Sequence, residues 1–141
     1  MPRSVPKKPP VLFTLTGTVR PGRQLGRTAG HPTVNFPLDS RSGPCPDRGV
    51  YAAFVTLPDS RIFRAVTNVG VRPTVEEAGA LWAESHLLHF TGDLYGQTIT
   101  VCLSRFLRPE KKFASFEALQ AEIANNVGQT DRYFDELHFP G

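Results

Sequence analysis

Residues 22–36, Gly-Arg-Gln-Leu-Gly-Arg-Thr-Ala-Gly-His-Pro-Thr-Val-Asn-Phe, gather side chains suited to handling phosphate. Gly22, Gly26 and Gly30 recur every fourth residue, which lets the backbone take positive φ or approach a ligand closely. Arg23 and Arg27 inside the run would draw anionic oxygens towards exposed amides. Pro32 fixes φ, and Thr33 and Asn35 follow at alternate positions, so an extended backbone projects both from one face. A hydroxyl and an amide carbonyl are hard oxygen ligands, suited to Mg²⁺ that keeps several waters and phosphate oxygens. The run matches neither the P-loop nor the dinucleotide fingerprint, and glycine-rich loops beside an arginine also occur as plain turns.

A second candidate lies in residues 81–90, Leu-Trp-Ala-Glu-Ser-His-Leu-Leu-His-Phe. Strict alternation over this stretch puts Trp82, Glu84, His86, Leu88 and Phe90 on one face of a strand. A carboxylate sharing a face with Trp, Leu and Phe is partly desolvated, which suits it to proton transfer. The other reading is that this face is wet and Glu84 is a solvated strand residue. His86 and His89 have no third ligand at metal spacing and read as ordinary strand residues.

The elements that must position these groups are short. In 141 residues, thirteen prolines and twelve glycines recur between apolar runs, a punctuation that favours many short strands over long helices. Residues 1–10 are a basic, Pro-rich lead-in expected to be a disordered tail, with residues 11–138 forming a single domain. Residues 11–20 alternate, with Val11, Phe13 and Leu15 opposite Thr14, Thr16 and Thr18. The Pro, Ser, Asp and Gly between 37 and 48 predict a loop. Residues 49–57 and Ile62 to Val69 flank Pro58-Asp59-Ser60 and predict a hairpin. Residues 91–96 read as a tight turn. Residues 97–107 read as the last strand, with Ile99, Val101, Leu103 and Leu107 inward and Arg105 breaking that face. Ser115 should cap an amphipathic helix of about three turns carrying Phe116, Leu119, Ile123 and Val127, ended by Gly128, with a short helical turn near 131–137.

A formal charge of +3 suits an anionic small ligand and is too scattered to argue for nucleic acid. No apolar run approaches membrane-spanning length, and the N-terminus lacks the apolar stretch of a signal peptide. Cys45 and Cys102 form neither a metal spacing nor a disulfide framework, so a reduced, cytoplasmic setting is the expectation.

Taken in order, Gly17, the Gly-Arg-x-x-Gly-His-Pro-Thr-Val-Asn run at 26–35, Gly49-Val50-Tyr51 and Thr67-Asn68-Val69-Gly70-Val71-Arg72-Pro73-Thr74 form a series. It continues with Glu84-Ser85-His86-Leu87-Leu88, Gly92-Asp93-Leu94-Tyr95-Gly96 and Leu107-Arg108-Pro109-Glu110-Lys111-Lys112-Phe113. This series resembles the riboflavin kinase (flavokinase) family over roughly residues 13–134, including the kinase half of bacterial bifunctional FAD synthetases.

The resemblance implies a mainly β fold, a six-stranded antiparallel Greek-key β-barrel with a C-terminal helix beside its opening. It also implies Mg²⁺-assisted transfer of the ATP γ-phosphoryl to the 5′-hydroxyl of the riboflavin ribityl chain, giving FMN and ADP. Residue by residue, Thr33 and Asn35 match the positions that bind Mg²⁺ and the nucleotide phosphates, and Glu84 matches the carboxylate that acts as general base. Gly22, Gly26, Arg27 and Gly30 match the loop over the phosphates, and Arg108, Glu110 and Phe113 match a region bordering the isoalloxazine ring. Two departures stand out: His31 replaces a bulky apolar residue, and Asn125-Asn126 replaces an acidic one after Ile123. The sequence holds no His-x-Gly-His adenylyltransferase signature: as a whole protein it is expected to make FMN and stop there, and as a piece of a longer one its partner domain lies outside it. The expected partners are small molecules, with no nucleic acid and no membrane, acting on a monomer. The departures also motivate an alternative, a catalytically weak flavin- or nucleotide-binding module of the same fold.

Overall fold

Short apolar runs broken by proline and glycine cannot bury themselves alone, so they pair into a sheet and curl it around their apolar faces. A computed structural model describes residues 8–20, 33–38, 44–72 and 80–139. It contains strands β1 (Phe13–Thr18), β2 (Thr33–Pro37), β3 (Gly49–Thr56), β4 (Ile62–Arg72), β5 (Ala80–Leu87) and β6 (Thr98–Arg108), followed by helix α1 (Phe116–Glu136). The sheet order is β1-β6-β3-β4-β5-β2 with every neighbouring pair antiparallel. Three consecutive strands, β3 to β5, with β6 returning beside β3 make a Greek key. The family resemblance implied a six-stranded antiparallel Greek-key barrel, and the six antiparallel strands curl into a half-barrel. Its two edges meet at one corner, where the Arg20 amide donates to the Asn35 carbonyl at 2.8 Å and Asn35 Nδ2 donates to the Arg20 carbonyl at 3.1 Å.

Alternation sorts the side chains as the sequence predicts for β1, whose threonines are exposed while Phe13 and Leu15 pack on the core. Inside lie Val34 and Phe36 of β2, Tyr51, Ala53 and Val55 of β3, Ala83 and Leu87 of β5, and Ile99, Val101 and Leu103 of β6. Gly17 is required here, because a Cβ would overlap the Phe36 ring that crosses from β2. The β3–β4 hairpin forms as expected, running from Gly49 opposite Val69 to Thr56 opposite Ile62.

Three expectations are corrected. The strand through 81–90 ends at Leu87, because His89 turns the chain at φ 62°; Phe90 then enters the core against Phe63, ring centroids 4.9 Å apart. In β6 the pairing with β3 slips twice, skipping Ser104 and then Leu107. Arg105 therefore stands opposite Ala52 and faces outward, its guanidinium 5.5 Å over Tyr133, and Leu107 leaves the core. The helix does not stop at Gly128: one helix of 21 residues runs through it. The reason is burial, since Asn126, Thr130 and Phe134 continue a buried stripe at four-residue spacing past the glycine. Ser115 caps it as predicted, its Oγ accepting from the Ala118 amide at 3.1 Å.

Helix α1 lies on the outer face of β3 and β4. Phe134 is fully buried there, edge-on to Phe54 at 6.2 Å. Beside it Arg64 of β4, 8% exposed, donates to Asp131 Oδ1 at 3.0 Å, Asp135 Oδ1 at 2.8 Å and the Phe139 carbonyl at 2.6 Å. That single guanidinium ties the last turns of the helix and the residues after it to the sheet. Arg64→Leu keeps the stem and removes these bonds, leaving two carboxylates with less compensation. A loss of about 2–3 kcal/mol in urea unfolding free energy is expected.

Candidate active site

Every strand of a curled sheet has an outer face, and on β3, β4 and β5 that face is only partly covered by α1. Between the sheet, the segment after β6 and the first half of the helix lies a cavity of about 510 Å³. One row of side chains crosses this face, and its Glu84, Asn68, Val50 and Arg108 line the cavity. Asn35 of β2 pairs with Glu84 of β5, Glu84 with Asn68 of β4, Asn68 with Val50 of β3, and Val50 with Arg108 of β6. Residues directly opposite in antiparallel pairs share a face, so the row is continuous across five strands.

The two candidates read separately from the sequence therefore meet. Thr33 and Asn35 are on the same face of β2, opposite His86 and Glu84 respectively. Thr33 Oγ1 lies 3.1 Å from His86 Nδ1, and His86 Nε2 lies 4.0 Å from Glu84 Oε1. The Glu84 side chain is 26% exposed, so neither sequence reading was complete: the carboxylate is half-sheltered at a cavity wall. His86, read from the sequence as an ordinary strand residue, instead stands between the hydroxyl and the carboxylate, hydrogen-bonded to the first and near the second. Only the pairing of β2 with β5 could have revealed that.

The far wall comes from β6 and the chain after it. The two slips in β6 bring Arg108 opposite Val50 and so onto the cavity side. Arg108 Nε donates to Asn126 Oδ1 at 3.2 Å, and its guanidinium carbon stands 5.5 Å from the centre of the Phe113 ring. Lys111 Nζ stands 5.1 Å from the same ring. Glu110 pairs with Arg48 at 2.7 Å, and its carboxylate stands in the space that a Cβ at position 70 would fill. Arg108, Glu110 and Phe113 thus line the same cavity as Glu84. Asn126, flagged in the sequence as a departure from the family, is buried and anchors Arg108. Gly22, Gly26, Arg27, Gly30 and His31 lie outside the described residues.

Among the described residues no group of three or more His, Cys, Asp or Glu is placed to hold a metal ion. The hydroxyl and carboxamide on β2 remain a pair of hard oxygen donors on one face, a partial shell of the kind Mg²⁺ completes with water and phosphate. Among the described residues no helix is long and apolar enough to cross a membrane.

At the helix side of the cavity, Glu122 accepts from Asn125 Nδ2 at 3.0 Å and pairs with Lys111 at 3.3 Å. The Asn125 hydrogen bond foremost, with Lys111 and Arg108 beside it, holds the Glu122 carboxyl below the usual carboxylate range despite some desolvation. Its stabilising contribution is present above that range and is lost as pH falls through the lowered native value. Glu122→Gln should therefore flatten the fall in unfolding free energy between about pH 5 and pH 3, with under about 1 kcal/mol change at pH 7. Urea titrations across that range read both quantities.

A family model described as riboflavin kinase (flavokinase) matches residues 10–134. A bifunctional riboflavin kinase/FMN adenylyltransferase of Pseudomonas fluorescens is 43% identical over 115 residues, 82% of this chain and 36% of that protein. An RNA-binding riboflavin kinase of Bacillus subtilis is 32% identical over 121 residues, 86% of this chain and 51% of that protein. The crystal structure of a riboflavin kinase from Trypanosoma brucei superposes with a TM-score of 0.59 at 27% identity, covering 90% of this chain and 80% of that one. The chain thus spans about a third to a half of the length of these two curated relatives.

Proposed function

We propose that this chain, which belongs to the riboflavin kinase family, transfers the γ-phosphoryl group of ATP to the 5′-hydroxyl of the ribityl chain of riboflavin, giving FMN and ADP. The observation that carries the reading is the row Asn35–Glu84–Asn68, which sets a carboxylate at the head of a cavity whose other end is aromatic and cationic. A volume of about 510 Å³ suits a ligand the size of a flavin. Phe113, with Arg108 and Lys111 against its ring, offers the flat surface that an isoalloxazine packs on, and the half-sheltered Glu84 receives the far end of the polyol.

Phosphoryl transfer asks a protein mainly for alignment and charge stabilisation. Glu84 orients the 5′-hydroxyl and accepts its proton as the oxygen bonds to phosphorus and ADP leaves. His86, held by Thr33 Oγ1, stands 4.0 Å from that carboxylate and lines the cavity beside it. Thr33 and Asn35 would hold Mg²⁺, which when bound offsets the charge on the nucleotide phosphates. Gly22, Gly26, Arg27 and Gly30 are assigned to the loop over those phosphates on the resemblance of their motif. Four basic side chains among the described residues, Arg48, Arg108, Lys111 and Lys112, line the cavity, which suits an anionic small molecule such as the nucleotide. A cytoplasmic monomer fits this reading.

Incubation with riboflavin, ATP and Mg²⁺ should yield FMN by chromatography. Absence of FMN from folded protein that binds both ligands would instead support the binding-module alternative. Glu84→Gln should lower kcat by ~10²–10⁴-fold while leaving the KM for riboflavin within a few fold. Asn35→Ala should raise the KM for Mg-ATP, because an oxygen donor to the metal is lost. Asn35 also staples the corner of the half-barrel, so the same variant should lose about 1 kcal/mol of stability, read separately by urea unfolding.

A further inference from the structure

Asn68 is the member of the cavity row that phosphoryl transfer itself leaves without a task. Its Oδ1 is buried and has no hydrogen-bond partner, while its side chain lines the cavity. A shielded amide oxygen without a donor is a destabilising feature, and because the side chain lines the cavity, a turn of its carboxamide presents that oxygen to a ligand that brings the donor. The neighbours of Asn68 on the outer face of β4 cannot supply one. Val66 is apolar, and Gly70 has no side chain and is covered by the Glu110 carboxylate, itself an acceptor. Across the strands it stands between Glu84 on one side and Val50, then Arg108, on the other.

That placement fixes what kind of donor arrives. Adjacent strands are ~4.8 Å apart, so Asn68 sits one strand spacing from the carboxylate, towards the aromatic wall. A polyol whose terminal hydroxyl meets Glu84 and whose ring packs near Phe113 must pass over Asn68 with its middle carbons. The donors it carries there are secondary hydroxyls. We propose that Asn68 is the residue that reads the secondary hydroxyls of the ribityl chain, its Oδ1 accepting a hydrogen bond from one of them. Asn68 thereby sets the preference for a polyol over a plain alkyl chain at the flavin N10 position. The inference rests on the riboflavin kinase reading above, and it assigns Asn68 to recognition rather than to the bond-making step.

A site built to hydrogen-bond a hydroxyl rejects an analogue that lacks it, because its own polar group is then left unpaired. The test compares riboflavin with 10-(5-hydroxypentyl)flavin, which keeps the ring and the terminal hydroxyl and lacks the secondary ones. Kd is read from flavin fluorescence and kcat/KM from product formation, for wild type, Asn68→Leu and Asn68→Ala. Circular dichroism reports the folding of each variant, and the alanine variant serves if the leucine one does not fold. The expected result is that wild type favours riboflavin in both quantities. Either variant should weaken riboflavin about tenfold and change the pentyl analogue less than twofold, so that the preference collapses. Equal losses on both flavins, or no loss on either, would overturn the assignment. If the binding preference collapses as expected in protein that phosphorylates neither flavin, the Asn68 assignment stands and the kinase reading falls.

Discussion

Thr67 and Ser85 meet inside the half-barrel, hydroxyl to hydroxyl at 2.8 Å and both buried, and this contact with its apolar neighbours pins β4 against β5. Side chains alternate strictly along a strand, so a slip of one residue would carry every outward group into the core and every inward one out. Ala83 and Leu87 fill the interior on either side of Ser85, which leaves Glu84 and His86 no face but the outer one. The candidate site is thus the reverse side of a packing solution. Its carboxylate stands beside Asn68 because two small hydroxyls and two apolar side chains fit together on the opposite face.

The same economy governs the other wall. The β6 strand begins in step with β3 and ends out of step, and the slips at Ser104 and Leu107 turn Arg108 onto the cavity side. Arg108 is then fixed from the helix by Asn126, and the helix is fixed to the sheet by Arg64 at its other end. Helix α1 accordingly has two halves with different tasks. Its last turns bury Thr130 and Phe134 against the sheet, and its first turns present half-buried Leu119 and Ile123 to the cavity.

Stability and site chemistry share residues at only a few points. Asn35 is the clearest, since one carboxamide joins the two edges of the half-barrel through Nδ2 and stands beside Glu84 across the β2–β5 pair. Closing the half-barrel through a side chain beside Glu84 keeps that side chain from wandering, which is what the proposed alignment-dominated chemistry needs.

Much of this was legible along the chain. Alternation located β1 and the β3–β4 hairpin, a serine before an amphipathic run located the start of α1, and the order of short motifs identified the family and marked Thr33, Asn35, Glu84 and the Arg108 segment as candidates. These signals are local: each depends on residues a few positions apart. The sequence by itself did not show that His86 stands between Thr33 and Glu84, that Asn68 lies between Glu84 and Arg108, or that β6 changes step. It also ended the helix at Gly128, because the propensity of one glycine outweighed a buried stripe that only the sheet surface makes visible. Those features arise from which strand lies against which and in what register, an outcome of packing the whole core at once. Only the tertiary structure decided them, because the paired residues are separated by up to tens of positions and carry no mark of their partners.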